Sequence, residues 1–280
     1  MNSHSNSNAN VSMVKELPGV AVVTGAASGI GRAVAHALAR AGCSAIALID
    51  VNAAGLTEVA SSIRALNQDM RVLELQCDAA HEAEVVRAFD AIHDAFNRLD
   101  YAINCAGVPG NTGPSDVALV SAFDRVIAVN LRGLFLCARQ ELRIMKSQSL
   151  DSHVYPGIDA SRAQRGAIVN IASGLAYVAL PGCPAYCASK AGVAALTRSD
   201  AVDYALSRIR VNAVLPGIVE TSMTSGAKAE LDDHAVKVMT PLQRWGQPRE
   251  IADACVFLCS SKASFVTGIS MPVDGGYLAI

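Results

Sequence analysis

The sequence predicts an α/β fold, a doubly wound parallel sheet with helices on both faces, and three observations carry that expectation. Short β-branched runs alternate with longer stretches of helical spacing along the chain. A glycine-rich turn follows the first run and an acid closes the second, where such sheets gather their ligands. The 280 residues are 51% hydrophobic and only 17% charged, which supplies enough apolar volume to cover a sheet on two faces.

Val20 to Thr24 reads as the first strand, and helical spacing runs from Arg32 to Ala41. Ala45 to Ile49 repeats the strand pattern and ends in Asp50, after which Ala53 to Leu66 reads as a helix. Val72 to Gln76, Tyr101 to Asn104, Ala167 to Ile171 and Arg210 to Val214 supply further strands, and a last short one is expected at Ser270 to Val273. Strands and helices alternating at this spacing imply right-handed crossovers and a mostly parallel sheet.

No repeat or linker divides the chain, so residues 17–280 are expected to form one domain behind a disordered tail at 1–16. The Asn- and Ser-rich start lacks the basic and apolar segments of a secretory signal. The irregular, polar stretch 146–165 is expected to be a surface insertion, because a buried one would leave backbone groups unpaired. A net charge of −2 gives no reason to expect nucleic acid, and no apolar run approaches the ~18 to 20 residues that cross a bilayer. The eight cysteines form no Cys-x-x-Cys pair and no metal is expected; reduced thiols and a cytoplasmic location are.

Thr24-Gly25-Ala26-Ala27-Ser28-Gly29-Ile30-Gly31 lies between the first strand and the first helix. Glycine there lets the backbone approach a pyrophosphate, and the helix N-terminus offers unpaired N–H groups with partial positive charge. Asp50 stands nineteen positions after Gly31, near the spacing of roughly twenty at which an acid meets the adenosine ribose. A carboxylate accepts hydrogen bonds from the 2′-hydroxyl of NAD and repels the 2′-phosphate of NADP, and the uncharged Ser28 and Val51 offer that phosphate no cation. NAD is therefore the expected cofactor. Asp78 and the run Asn104-Cys105-Ala106-Gly107 follow the third and fourth strands, at the ends where ligands collect, although each alone also suits a cap or a turn.

Tyr186 and Lys190 are four residues apart, on one face of a helix that continues to Ala205. A free tyrosine titrates at about 10, so acid–base work near neutrality needs a shift of two to three units, roughly 3 to 4 kcal/mol. Lys190 and a positive nicotinamide ring are expected to supply it. Ser173, thirteen residues before Tyr186, either caps a helix or donates to a substrate oxygen. Asn130 falls in an apolar helical stretch, where it either bonds only backbone or orders a water in a proton path.

With these elements the chain resembles the short-chain dehydrogenase/reductase family, from about Gly19 onward, and the resemblance implies a Rossmann-type fold. It rests on Thr-Gly-x-x-x-Gly-Ile-Gly at 24–31, Asp78, Asn-x-Ala-Gly at 104–107, Asn130, Ser173, Tyr186-x-x-x-Lys190, and Pro216-Gly217 leading to Thr221. It implies that Tyr186 is the general acid or base, that Lys190 holds the nicotinamide ribose and lowers the tyrosine pKa, and that Ser173 orients the reacting oxygen. Asn130 would position a relay water, Asp78 contact adenine, Asn104 line the cofactor cleft with Ala106 and Gly107, and Thr221 with the backbone of Val219 bind the carboxamide. Cys105 replaces a second Asn often found in the family, and 146–165 is longer than usual.

The substrate cover normally follows the Pro-Gly element, here 222–245, whose apolar residues include Met223, Val236, Met239 and Leu242. Gly174, Leu175, Ala176, Tyr177 and Cys183 are expected near the reacting groups, with Arg132 or Arg244 able to enter. The resulting expectation is an oxidoreductase passing hydride between NAD(H) and an apolar cyclic or polyketide-like secondary alcohol or ketone. The resemblance also suggests a homotetramer or homodimer joined through helices around 115–145 and 186–205. A cofactor-binding synthase or a scaffold without net redox chemistry is the rival reading. A hydrolase is disfavoured, since no His lies in these motifs and Ser173 is not in Gly-x-Ser-x-Gly.

Overall fold

The computed structural model describes residues 16–110, 112–150, 159–225 and 233–280. Its strands are β1 (Val20–Thr24), β2 (Ala45–Asp50), β3 (Arg71–Gln76), β4 (Tyr101–Asn104), β5 (Gly166–Ile171), β6 (Ile209–Pro216) and β7 (Ser270–Val273). They lie side by side as β3-β2-β1-β4-β5-β6-β7, and every neighbouring pair is parallel. The helices are α1 (Gly29–Arg40), α2 (Ala53–Leu66), α3 (Glu82–Phe96), α4 (Val120–Ile127), α5 (Leu134–Ser147), α6 (Pro184–Asp203), α7 (Asp233–Met239) and α8 (Pro248–Cys259).

Strand periodicity sorts the helices onto two faces. Ala21 and Val23 of β1, Ile46 and Leu48 of β2, and Tyr101 and Ile103 of β4 point into one core, which α1, α2 and α8 close with Leu38, Leu56 and Leu258. Val20, Val22, Ala47 and Ala102 point the other way, onto Phe89 of α3 and Leu136 and Met145 of α5. The inner strands β1, β4, β5 and β6 are buried along their whole length, as a sheet covered on both faces requires.

The chain builds outward from β1 to β3, then crosses back to place β4 on the other side of β1. The carboxyl ends of β1 and β4 therefore part at a topological switch point, where a doubly wound sheet opens its ligand crevice.

Several element ends shift by one to three residues from the sequence reading, and one of these shifts bears on the site. Helix α1 begins at Gly29 rather than Arg32, so the last glycines of the turn form its first turn. Low helix propensity hid them, but tertiary packing overrides it there. Within 146–165, both flanks are anchored: Gln148 donates to the carbonyls of Leu99 (2.8 Å) and Arg165 (2.6 Å), and Gln164 donates to that of Cys259 (2.9 Å). Residues 151–158 of that stretch, 226–232 of the expected lid and 1–15 of the expected tail lie outside the described residues. Glu16 pairs with Lys262 at 2.6 Å, and Leu17 is fully buried. Among the described residues, no helix is long and apolar enough to cross a membrane.

Candidate active site

At the switch point Thr24 Oγ1 accepts hydrogen bonds from the N–H groups of Cys105 (3.1 Å) and Ala106 (3.2 Å), tying the ends of β1 and β4 together. Two glycines allow the turn to fit between them. Gly25 has φ of +67°, and a Cβ there would stand 2.8 Å from the Ala106 nitrogen. A Cβ on Gly31 would stand 2.0 Å from the Gly25 carbonyl oxygen, so only glycine lets α1 start this close to the turn.

Ser28 makes no side-chain cap bond to α1, and the first turn of that helix carries no acid. Its leading N–H groups and their partial positive charge are left to the cleft that Gly29, Ile30 and Gly31 line. Asp50 lies on the same wall, its Oδ2 accepting from the Ala27 N–H at 3.0 Å and its Oδ1 from the Asn52 N–H at 3.0 Å. Asp78 lines the cleft beyond it, with Oδ1 on the Ala80 N–H at 2.9 Å. This cradle suits a dinucleotide pyrophosphate: the backbone approaches closely, the helix end is uncapped, and Asp50 stands on the same wall at the end of β2.

The opposite wall comes from β6 and the loop after it. Pro216, Gly217, Val219 and Thr221 line the cleft. Thr224 Oγ1 braces this loop by donating to the Val219 carbonyl at 2.7 Å and accepting from the Thr221 N–H at 3.0 Å. A parallel bridge between Val219 and Gly246 fixes its base.

Ser173 follows β5, while Tyr186 and Lys190 share the first turns of α6, and all three line the same cleft of about 790 Å³. Ser173 accepts from the Leu175 N–H at 3.1 Å and is hydrogen-bonded to Tyr186. Lys190 Nζ donates to the Ile171 carbonyl at 2.8 Å and sits 5.6 Å from the Tyr186 ring centroid. Burial pushes the Tyr186 phenol upward in pKa, against the pull of the Ser173 hydrogen bond. Burial likewise brings Lys190 down to about 8, although the nearby Cys105 opposes this. For both groups, enclosure away from water is the largest influence on the pKa.

Two expected site residues lie outside the cleft lining. Asn104 is buried, and its Nδ2 donates to Glu141 Oε2 and to Asn170 Oδ1, both at 3.0 Å, so its side chain turns under the sheet end. Asn130 is fully buried in a π-helical turn, Ala128–Gly133, between α4 and α5. Its Oδ1 accepts from the Val108 N–H at 2.8 Å, and its Nδ2 donates to the Val108 carbonyl at 3.0 Å and to Ser189 Oγ at 3.4 Å. Asn130 thus clips the Val108 backbone and also reaches the Ser189 hydroxyl.

The other residues expected to react or to bind the cofactor, Gly25, Ser28, Ala106 and Gly107 among them, do line the cleft, whereas the expected pocket neighbours Gly174, Leu175, Ala176, Tyr177 and Cys183 are not among its lining residues. Arg132 and Arg244 do not enter it; they bond the Ala80 carbonyl (2.9 Å) and Glu250 (2.6 Å) instead. The arginine that does line it is Arg125 of α4, which no motif marked. The eight cysteines are free thiols, and no acid, His or Cys cluster among the described residues could hold a metal.

Comparison with known proteins agrees with this geometry. A family model described as enoyl-(acyl carrier protein) reductase matches residues 25–278. The chain is 41% identical to a cis-4-hydroxycyclohexanecarboxylate dehydrogenase of Sinomonas cyclohexanicum, over 93% of this chain and 97% of that protein. Its fold is similar to the crystal structure of levodione reductase, with a TM-score of 0.82 and 33% identity over 94% of this chain and 98% of the other. It is also similar to a 3-ketoacyl-(acyl-carrier-protein) reductase of Brucella melitensis in complex with NADH, with a TM-score of 0.79 and 30% identity over 92% and 98% of the two chains.

Proposed function

The chain belongs to the short-chain dehydrogenase/reductase family, and on that premise we propose that it interconverts a secondary alcohol and a ketone on an apolar ring, with NAD(H) as hydride carrier. That it is an oxidoreductase acting on CH–OH groups follows from the family. One observation carries the finer reading: Ser173, Tyr186 and Lys190 stand on one wall of the cleft whose other end is the glycine cradle of α1.

When bound, the nicotinamide ring takes or gives the hydride. In this assignment Tyr186 moves the proton at the reacting oxygen, and Ser173 donates to that oxygen and holds it in line. Lys190, fixed by the Ile171 carbonyl, orients the ribose and places a positive charge behind the phenol. Asn130 clips Val108 beside Lys190 and is assigned a positioning role; a relay water is the finer form of it. Thr221 and the Val219 backbone are assigned to the carboxamide and Asp78 to the adenine.

Asp50 supports NAD over NADP, because the cations lining the cleft, Arg125 and Lys190, are carried by α4 and α6 rather than by the β2 end. The ring substrate is supported by the Sinomonas relative, whose name specifies a hydroxycyclohexane carboxylate. We further propose residues 17–280 as one domain, 222–245 as the substrate lid, a cytoplasmic location, and a homotetramer or homodimer. Val120 and Phe135, exposed on α4 and α5, fit that assembly. Sedimentation as a concentration-independent monomer would contradict it.

The test of function is a screen of secondary alcohols with NAD and with NADP, following cofactor reduction. Stoichiometric NADH with a ring alcohol is the expected result; tight cofactor binding without net reduction on any alcohol, or oxidation on any ketone, would favour the non-redox rival.

A further inference from the structure

The segment after β7 reaches the catalytic wall from a side no motif marks. Asp274 pins it, with Oδ1 accepting from the Gly276 N–H and Oδ2 from the Leu278 N–H, each at 2.9 Å. Gly275 and Gly276, with φ of +64° and +93°, press against the chain just past α7. A Cβ at Gly275 would meet Thr240 Cγ2 at 2.5 Å, one at Gly276 would meet Pro241 Cγ at 2.9 Å, and the Leu242 N–H donates to the Gly275 carbonyl at 3.0 Å.

Held in this way, Tyr277 lays its ring over Gly174, the residue next to Ser173. A Cβ on Gly174 would stand 3.1 Å from Tyr277 Cδ1 and 3.7 Å from Leu278 Cγ, so the absent side chain makes the seat for the ring. Burial raises the Tyr277 phenol, and Cys187, the residue next to Tyr186, raises it further. The ring is therefore neutral and sits beside the residues next in sequence to Ser173 and Tyr186, just outside the residues that line the cofactor cleft.

We propose that Tyr277 is a substrate-selecting residue, its ring forming an apolar wall against which a carbocyclic secondary alcohol packs while its oxygen lies at Ser173 and Tyr186. This rests on the ring-alcohol reading above. A fixed flat face rewards a rigid apolar ring, whereas an open chain spends more conformational freedom to lie along it.

The test compares cyclohexanol with 2-butanol in the full-length enzyme, with NADH binding measured separately by fluorescence. Tyr277→Ala lowers the cyclohexanol to 2-butanol ratio of kcat/KM by about ten-fold or more, mainly through KM, with NADH binding unchanged. Tyr277→Phe keeps the wild-type ratio, and Gly174→Ala, which displaces the ring without removing it, lowers the ratio in the same direction. An unchanged ratio in Tyr277→Ala that still binds NADH overturns the proposal, and so does a Tyr277→Phe that falls as far as the alanine variant. A wild-type enzyme inert towards both alcohols counts instead against the ring-alcohol reading, and this assignment falls with it.

Discussion

Asn104 Nδ2 stands 3.0 Å from Glu141 Oε2, beneath the end of the sheet rather than in the cleft. Glu141 is fully buried, and burial pushes its carboxyl up to about 8, against the pull of the Asn104 bond. Folded Glu141 thus keeps a proton that the unfolded chain releases from about pH 4.5 upward. Its stability contribution is fully present below that pH and is lost as pH rises through about 8. Asp200, raised to about 6, adds a smaller slope of the same sign, while Lys190, lowered to about 8, gives the opposite slope between there and its ordinary value near 10.5. Glu141→Gln should flatten the decline and stabilise the protein at pH 8.5 by on the order of a few kcal/mol. Denaturant unfolding at pH 6 and 8.5 measures this; an unaltered pH slope would refute a neutral Glu141.

Tyr186→Phe should retain nicotinamide binding while losing turnover by about 10² to 10⁴-fold, the usual worth of a positioned proton donor or acceptor. Near-normal turnover would remove Tyr186 from proton transfer.

Ser173→Ala removes the hydrogen bond that holds the Tyr186 pKa down. Alcohol oxidation should slow by about 10²-fold, and the alkaline rise in its rate should move to higher pH. A rise at unchanged pH would show that the Ser173 hydroxyl has no hold on the phenol.

Asp50→Ala should narrow the preference for NAD over NADP by about ten-fold in kcat/KM. Because Asp50 also accepts from Ala27 and Asn52, some loss of cofactor affinity overall should accompany it. Steady-state kinetics with both nucleotides decide, and an unchanged ratio would count against the ribose assignment.

Gly31→Ala places a methyl against the Gly25 carbonyl, and both partners are backbone that cannot rotate away. Expected are weaker NADH binding by more than about ten-fold and a stability loss of about 1 to 3 kcal/mol. Wild-type NADH affinity in this variant would show that the turn has room the structure denies it.

The strands were legible because most are short apolar or alternating stretches between turn residues, and the cofactor end because a glycine-rich turn follows the first of them. What stayed hidden depends on where side chains point. Asn104 ends a strand at the cleft, yet whether its amide faces the ligand or Glu141 depends on α5, dozens of residues away in sequence. The Asn130 clip needs a π-helical turn that apolar periodicity does not mark. The pKa balance at Tyr186 follows from enclosure by several elements, which the spacing to Lys190 alone does not contain. Arg125 lines the cleft without a motif signal, and Tyr277 meets Gly174 only through tertiary packing.

The glycine beside Ser173 has an evolutionary corollary. The groups assigned to the chemistry sit on β5 and α6, but the surface that fills the space above Gly174 is encoded after the last strand. Substitutions at 277 and 278 can therefore retune what the enzyme accepts without disturbing how it reacts. Selection for a new substrate should find its first gains in that short stretch of gene.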